Sequence, residues 1–377
     1  MSRAPLIERA SSGARRSRWH RDLGAYVLIM ISLHIVLITL GYAGTTRTGI
    51  WAEIWRLLTS YQDMISAVIA FGIMVVISLT ALRQIRRRLP YGIWHAVHAC
   101  AYLILLLVYG HQLANGQQFV LSPVAHACWV AFYVLVAVAV VYGRIVVPAL
   151  LNNRHRLRVD AVVPETTGVV SIYLTGSRLG ELRATAGQYA HWRFLTPDGW
   201  WRAHPFSLSA APNHGWLRLT VKATGDYSAR LHRVAHGTRV WIDTPTGEFT
   251  AGHRVRGSAA LIAVGSGIAP VRALMEALPA GTVVVYRART RQDLIFESEL
   301  DGLAATRGMT VHYVVGHRHE PGPAALLTFD GLAELVPDVV DRDVYLCGPD
   351  GWAAEMTDML VDAGVDVRQV HADAFEL

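Results

Sequence analysis

Four histidines stand in or beside long apolar stretches and fall into two pairs, His20 with His34 and His98 with His111. Histidine is costly in a bilayer core, so an intramembrane histidine implies function by default. Each pair is separated by roughly 20 Å along a helix that rises ~1.5 Å per residue. Two matched pairs at that spacing imply two stacked metal centres, each taking one imidazole from each of two facing helices. Haem iron with axial imidazoles fits the pattern. The competing explanation is a set of polar residues joining helices by hydrogen bonds. On an ideal helix, His20 and His34 return to within about 40° of one face, whereas His98 and His111 miss by about 140°. A supercoil, a tightened turn or the reach of the imidazoles has to absorb that mismatch. His95 is a rival ligand with no better spacing, and neither it nor His126 has a second histidine at matching depth in the sequence.

The elements that must carry these residues are legible in the composition. The chain has 377 residues, 52% hydrophobic and 17% charged, with a net charge of +6. The apolar residues concentrate in the first 150 positions. Four segments reach the ~20 residues a span needs, at 23–43, 62–82, 93–112 and 123–147. Arginines gather before the first (Arg15, Arg16, Arg18, Arg21), after the second (Arg83, Arg86, Arg87, Arg88) and after the fourth (Arg144, Arg154, Arg156). The intervening loops, near 44–60 and 113–122, carry only Arg47 and Arg56. By the positive-inside rule both termini are cytoplasmic. His20 and His98 then lie near the cytoplasmic face, and His34 and His111 near the outer one. The basic, polar N-terminus shows no signal-peptide pattern.

Nucleic-acid binding is a poor explanation for the charge, because the basic residues are arginines apart from Lys222, as a GC-rich genome would give. Cys100, Cys128 and Cys347 make neither a four-thiolate cluster nor a disulfide framework.

From Arg154 onward, short β-forming runs between Gly, Pro and Asp breaks predict an antiparallel barrel over 154–252. After Gly257 the rhythm becomes strand–helix, which predicts a parallel α/β nucleotide-binding unit over 257–377. There Gly265-Ser266-Gly267-Ile268-Ala269-Pro270 follows a strand and opens a helix, where glycines and a helix N-terminus suit a diphosphate. The second strand ends in Tyr286-Arg287-Ala288-Arg289-Thr290-Arg291. Arginine at that place accommodates a 2′-phosphate, which favours NADPH over NADH.

His204-Pro205-Phe206-Ser207-Leu208-Ser209, taken with the histidine pairs, resembles the ferric reductase and NADPH oxidase superfamily over residues 18–377. Those proteins join a haem-bearing membrane domain to a ferredoxin-reductase-like FAD and NADPH module. The resemblance implies that Pro205, Phe206 and Ser207 face the flavin, with the Ser207 hydroxyl near N5. His204 stands where soluble relatives often have arginine. Lys222, Gly225 and Ser228 resemble the segment that holds the FAD diphosphate. Gly265, Gly267 and Pro270 resemble the NADPH-phosphate loop, and Arg289 the arginine after the second strand, beside Arg287. Cys347, Gly348 and Pro349 resemble the motif bordering the nicotinamide. Phe375 resembles the terminal aromatic that covers the flavin ring. Ser207, Cys347 and Phe375 are thereby the expected catalytic residues.

The expected organisation is a cytoplasmic segment 1–18, a four-helix transmembrane di-haem domain 19–150, an FAD domain 154–252 and an NAD(P) domain 257–377. The expected electron path runs from cytoplasmic NADPH through FAD, an inner haem b (His20, His98) and an outer haem b (His34, His111). It ends on a ferric chelate or oxygen outside a plasma membrane. A haem-bearing relay for a partner protein or quinone, and a membrane-anchored flavin reductase without haem, stay open as alternatives. Two features depart from the family: four membrane helices in place of six, and Thr244-Pro245-Thr246-Gly247 in place of a Gly-Pro-Tyr-Gly-like turn. The stretch before His20 resembles the loop that follows the family's second helix, which implies a late start or a minimal form.

Overall fold

The computed structural model describes residues 13–86, 88–89 and 91–375, and the side chains of these except residues 13–18 and 91. Most of the expected 1–18 segment, the side chains of Arg15, Arg16 and Arg18, and Arg87 therefore lie outside the described residues. Two compact units divide between Ile145 and Val146.

The first unit contains α1 (Gly13–Thr46), α2 (Ile50–Ser60), α3 (Met64–Ala81), α4 (Tyr91–Ala99), α5 (Ala101–Asn115) and α6 (Pro123–Val141). Among the described residues, four helical stretches are long and apolar enough to cross a membrane: Trp19–Thr46, Met64–Ala81, Gly92–Asn115 and Pro123–His155. They match the four expected segments. Large apolar side chains such as Leu37, Val68, Leu106 and Leu135 are at least half exposed, an outward surface suited to lipid rather than water.

The span made of α4 and α5 is interrupted at Cys100. Its N–H bonds to the Val97 carbonyl, three residues back, at 3.1 Å. This is a tightened turn between His98 and His111, the feature that their spacing requires of a helix with the wrong phase. α3 packs along α5, where Ser66 Oγ donates to the Leu107 carbonyl at 2.9 Å and Asn115 Nδ2 to the Gln62 carbonyl at 2.8 Å. Gly110 permits this approach, since a Cβ there would lie 2.5 Å from an Asp63 carboxylate oxygen.

The 44–60 segment, expected as a loop, is mostly the helix α2. Spacing of i, i+4 puts Glu53 and Leu57 on its buried face and Trp51 and Trp55 on its exposed one. Arg56 is not a loose loop cation, because its Nη2 donates to Glu53 at 2.6 Å. Glu53 also accepts from Thr46 and Thr48.

In the second unit, α7 (Val147–His155) leads into β1 (Arg158–Thr166), β2 (Val169–Thr175), β3 (Tyr189–Phe194), β4 (His204–Ser207), β5 (Leu217–Lys222), α8 (Asp226–Leu231) and β6 (Val240–Ile242). Buried Asn152 fastens α7 to β6: its Nδ2 donates to the Ile242 carbonyl and its Oδ1 accepts the Ile242 N–H, both at 2.8 Å. The strands are antiparallel, as expected, but form two three-stranded sheets, β1-β2-β5 and β4-β3-β6. The ladder does not close into a barrel. β4 and β6 have four and three residues, too few to pair fully on both sides, so single bridges at Arg158–Arg239 and Leu208–Leu219 join the sheets.

The rest is a parallel sheet with helices: β7 (Ala259–Val264), α9 (Ile268–Met275), β8 (Val283–Ala288), α10 (Glu297–Arg307), β9 (Thr310–Val315), α11 (Phe329–Leu335), β10 (Asp343–Pro349), α12 (Asp350–Asp362) and β11 (Val370–Phe375). The order β11-β10-β7-β8-β9 reverses direction between β7 and β10. Nucleotides bind outside the carboxyl ends of strands at such a switch point. β7 is buried along nearly its whole length, which is why its sequence reads as a continuous apolar run.

Candidate functional site

Within the membrane unit, the His20 and His98 rings lie 5.7 Å apart, centre to centre, at 80°. One iron between two imidazoles, at ~2 Å per metal–nitrogen bond, asks for about this separation. His98 Nδ1 is buried with no hydrogen-bond partner, and the Trp94 ring stacks on it at 5.2 Å. His34 and His111 are close enough to interact electrostatically. The Asn115 side-chain amide meets His111 Nδ1 at 3.3 Å and fixes the ring. The first pair bridges α1 to the α4–α5 span, and the second places one imidazole on each of α1 and α5. His20 and His98 therefore fit a bis-imidazole centre, and His34 and His111 offer the imidazoles for a second.

Within the second unit, β4 is an edge strand, which is where a proline is tolerated. Pro205 is exposed there. The Phe206 carbonyl accepts from Trp192 Nε1 at 2.9 Å, and Ser207 pairs with Tyr189 across the ladder. His204 stacks on Tyr227 at 3.9 Å and 20°. Burial, and then the Arg202 charge, lower its pKa, so the ring is neutral at pH 7. Tyr189 and Thr246 exchange two backbone bonds, at 3.0 and 2.8 Å. The Tyr189 ring fills the space beside Gly247, where the family's turn carries its own aromatic. Lys222 ends β5. The Ser228 hydroxyl accepts the Thr224 and Gly225 N–H groups, both at 3.0 Å, and so holds the turn that precedes α8.

The glycine turn, the Cys347 segment and the C-terminal strand converge at the switch point. Gly265 has φ +56°, a left-handed conformation that favours glycine. Gly267 approaches β10 so closely that a Cβ would sit 2.1 Å from the Cys347 carbonyl oxygen. Gly348 abuts the Trp352 ring in the same way. The turn also contacts β5 of the flavin-side sheets. Pro349 and Phe375 are register partners, and so are Cys347 and Asp373. Pro270 is buried in the first turn of α9.

Asp373 escaped the sequence reading, because a single acid near a C-terminus carries no pattern. Burial pushes its carboxyl up to about 6. Burial, and then Asp373, raise the Cys347 thiol well above its usual value, which keeps it protonated. A raised carboxyl favours the folded state fully below pH ~4, and that contribution is lost as pH rises through about 6. A shift of about 2 units amounts to about 3 kcal/mol. The Asp373→Asn protein is therefore expected to lose the stability change between pH 5 and 7. It is also expected to lose any inflection near pH 6 in flavin reduction by nicotinamide. Stopped-flow reduction and thermal melts across that range check this, and an unchanged inflection would refute it.

Arg287 ends β8. Burial, and then the Arg318 and Arg289 charges, lower its pKa, and its Nε is buried without a partner. Arg318, from the loop after β9, was not singled out by the sequence, because its neighbourhood to Arg287 exists only in the folded sheet. Three crowded guanidinium groups suit a dianionic ligand.

Comparison with known proteins matches three separate segments of the chain. Residues 1–109 match the family described as ferric reductase like transmembrane component. Residues 158–250 match an FAD-binding domain and 261–358 an oxidoreductase NAD-binding domain. A flavohemoprotein of Pseudomonas aeruginosa is 32% identical over 59% of this chain and 58% of its own length. A flavohemoprotein of Vibrio cholerae is 30% identical over 48% of this chain and 49% of its own. The chain thus spans about half the length of these curated relatives. Among solved structures, the flavohem-like FAD/NAD binding domain of nitric oxide dioxygenase from Vibrio cholerae has a TM-score of 0.51 at 26% identity. That match covers 59% of this chain and 99% of that one.

Proposed function

We propose that this chain, which joins a ferric reductase-like transmembrane component to a ferredoxin-reductase-like FAD and NAD(P) module, carries electrons from cytoplasmic NADPH across a plasma membrane to a ferric chelate or oxygen outside. The observation that carries this reading is the facing of His20 and His98 across two apolar helices in a chain that also has a parallel sheet with a switch point. Bound FAD would supply the conversion of a two-electron donor into single electrons, and two haem b groups would supply one-electron carriers through the apolar layer.

The chain's own residues do the positioning. His204 and Tyr227 form a stacked wall beside β4, and Pro205, Phe206 and Ser207 offer that strand's edge to the flavin. Lys222, Gly225 and Ser228 form the turn for the flavin diphosphate. Gly265 and Gly267 bring backbone amides to the nucleotide phosphates, and Cys347, Gly348 and Pro349 border the nicotinamide. Phe375, packed against the adjoining core, shields the flavin ring from water. Asp373 takes up a proton at its carboxyl as pH falls through about 6, beside the Cys347 thiol.

Arginines at the cytoplasmic ends of the spans, such as Arg21, Arg83 and Arg144, support the inside placement of the module. The cluster of Arg287, Arg289 and Arg318 supports NADPH. Replacing Arg289 by alanine is expected to raise KM for NADPH at least tenfold, the loss of a charge-assisted hydrogen bond of about 1.5–3 kcal/mol. KM for NADH should barely move, and equal effects on the two would count against a 2′-phosphate contact. The function itself is tested by adding NADPH to the purified protein and recording absorbance. Reduced b-type bands equivalent to two haems per chain are expected. Comparing superoxide-dismutase-sensitive cytochrome reduction with ferric-chelate reduction in oriented vesicles then separates the acceptors.

A further inference from the structure

A cavity of about 500 Å³ opens where α7 meets β1 and β6, lined by Asn152, Asn153, Arg156, Arg158, Arg239 and Trp241 among others. Three of these are guanidinium groups, and no carboxylate lines the cavity. Arg158 and Arg239 are direct partners on the antiparallel bridge between the two sheets. Directly opposite side chains start about 5 Å apart, and like charges there are destabilising. Arg158 turns one nitrogen to the Gly237 carbonyl at 2.9 Å, which leaves the rest of its fork available. The Arg239 side chain makes no hydrogen bond or ion pair among the described residues, its backbone carbonyl accepting the Leu195 N–H at 2.9 Å. Arg156 caps α7 in the left-handed region, at φ 46°, with its Nε on the Asn153 carbonyl at 3.1 Å.

Other arginines on this unit have acids: Arg154 pairs with Glu181, and Arg291 with Glu297. At the cavity the missing partner is an anion. Planar guanidinium forks match phosphate oxygens two at a time, and the Trp241 ring gives the cavity one apolar wall. The site is separate from the flavin strand, because β6 and β4 are opposite edges of the sheet β4-β3-β6, about 10 Å apart. The Arg287–Arg289 cluster belongs to a different sheet, the parallel one that contains β8.

We propose that this cavity binds a phosphate mono- or diester, supplied by a phospholipid headgroup or a soluble phosphate. The proposal is independent of the electron-transfer reading. An anion between Arg158 and Arg239 converts their repulsion into two charge-assisted contacts, so binding should stabilise the flavin-side sheets at the bridge that joins them.

The test uses the full-length protein in neutral detergent. One arm receives inorganic phosphate. A second receives a short-chain phosphatidylglycerol, with a diacylglycerol of the same chain length as its phosphate-free control. Binding is read by native mass spectrometry and by the thermal midpoint. Saturable binding in the first arm identifies a soluble source and in the second a headgroup. Either must weaken at least tenfold in the Arg158→Gln/Arg239→Gln double variant, with flavin absorbance unchanged as the folding check. Without added anion, Arg239→Gln alone should raise the midpoint, because it removes the repulsion. Binding that survives the double variant, equal binding of the diacylglycerol, no binding in either arm, or a lowered midpoint for Arg239→Gln would overturn the proposal.

Discussion

Replacing Glu299 by alanine should cost the cytoplasmic module about 3 kcal/mol of stability, the scale on which removing one partner from a buried ion pair operates. Arg218, on β5, is 3% exposed and donates to both Glu299 oxygens, at 2.9 and 3.0 Å. Arg272, on α9, also meets Glu299, at 2.5 Å, and pairs with Glu276. Arg218 further donates to the Ser209 carbonyl at 2.7 Å and lies over the Phe296 ring at 4.6 Å. One carboxylate on the nucleotide-side helix α10 thus compensates a buried cation from the flavin-side sheets. Removing it leaves Arg218 desolvated with only neutral acceptors, while Arg272 keeps Glu276. For a module of this size, ~2–4 °C of midpoint per kcal/mol gives a fall of about 6–12 °C. Glu299→Gln should fall less, because the amide oxygen still accepts one bond. Release of flavin fluorescence on heating measures this. A midpoint within 1 °C of the parent protein would mean that water replaces the carboxylate. Because the network also ties β5 to α9 and α10, nicotinamide-to-flavin transfer should slow in the variant even below its melting range.

This network shows where sequence reading stops. Arg218 and Glu299 are 81 residues apart, and nothing local in either segment announces the other. The same holds for Arg318 beside Arg287, and for Arg158 opposite Arg239. What was legible rests on short-range physics. Spans announce themselves by length and apolarity, parallel strands by continuous apolar runs, and the glycine turn by its place between strand and helix. β6 went unseen as a strand because three residues show no alternation, and β4, with four, was legible only through the family resemblance. The helix α2 was hidden because an amphipathic stretch of 11 residues is too short to be a span and too apolar on one side to look like a helix of a soluble protein. The turn at Cys100 is the instructive case. The 13-residue spacing of His98 and His111 was an obstacle in a regular helix, and it became a statement about where that helix must tighten. The histidine types were readable, but their phase was set by one hydrogen bond to Val97.

Substituting the histidines one at a time has the largest expected effect on function. His98→Ala leaves His20 without a facing imidazole, and His111→Ala does the same to His34. Each single variant is expected to lose half of the b-type absorbance, because the pairs sit on separate levels about 20 Å apart along α1 and neither can borrow from the other. His95 is a plausible substitute for His98 by sequence, yet it is His98 whose ring faces His20 at 5.7 Å. His95→Ala should therefore leave both bands in place. Loss of either level leaves a gap of ~20 Å in the electron path, so acceptor reduction outside the membrane should fall about 100-fold or more. Even outer-shell changes at metal centres cost 10–100-fold. NADPH-dependent bleaching of the flavin should continue at the parent rate in all of these variants, since the nucleotide crevice and β4 belong to the other compact unit. That contrast gives the experiment its force. A fall in flavin bleaching would indicate a folding defect, whereas unchanged spectra in both His98→Ala and His111→Ala would remove the ligand assignment itself. A chain that kept flavin bleaching but never showed b-type bands would instead be a membrane-anchored flavin reductase.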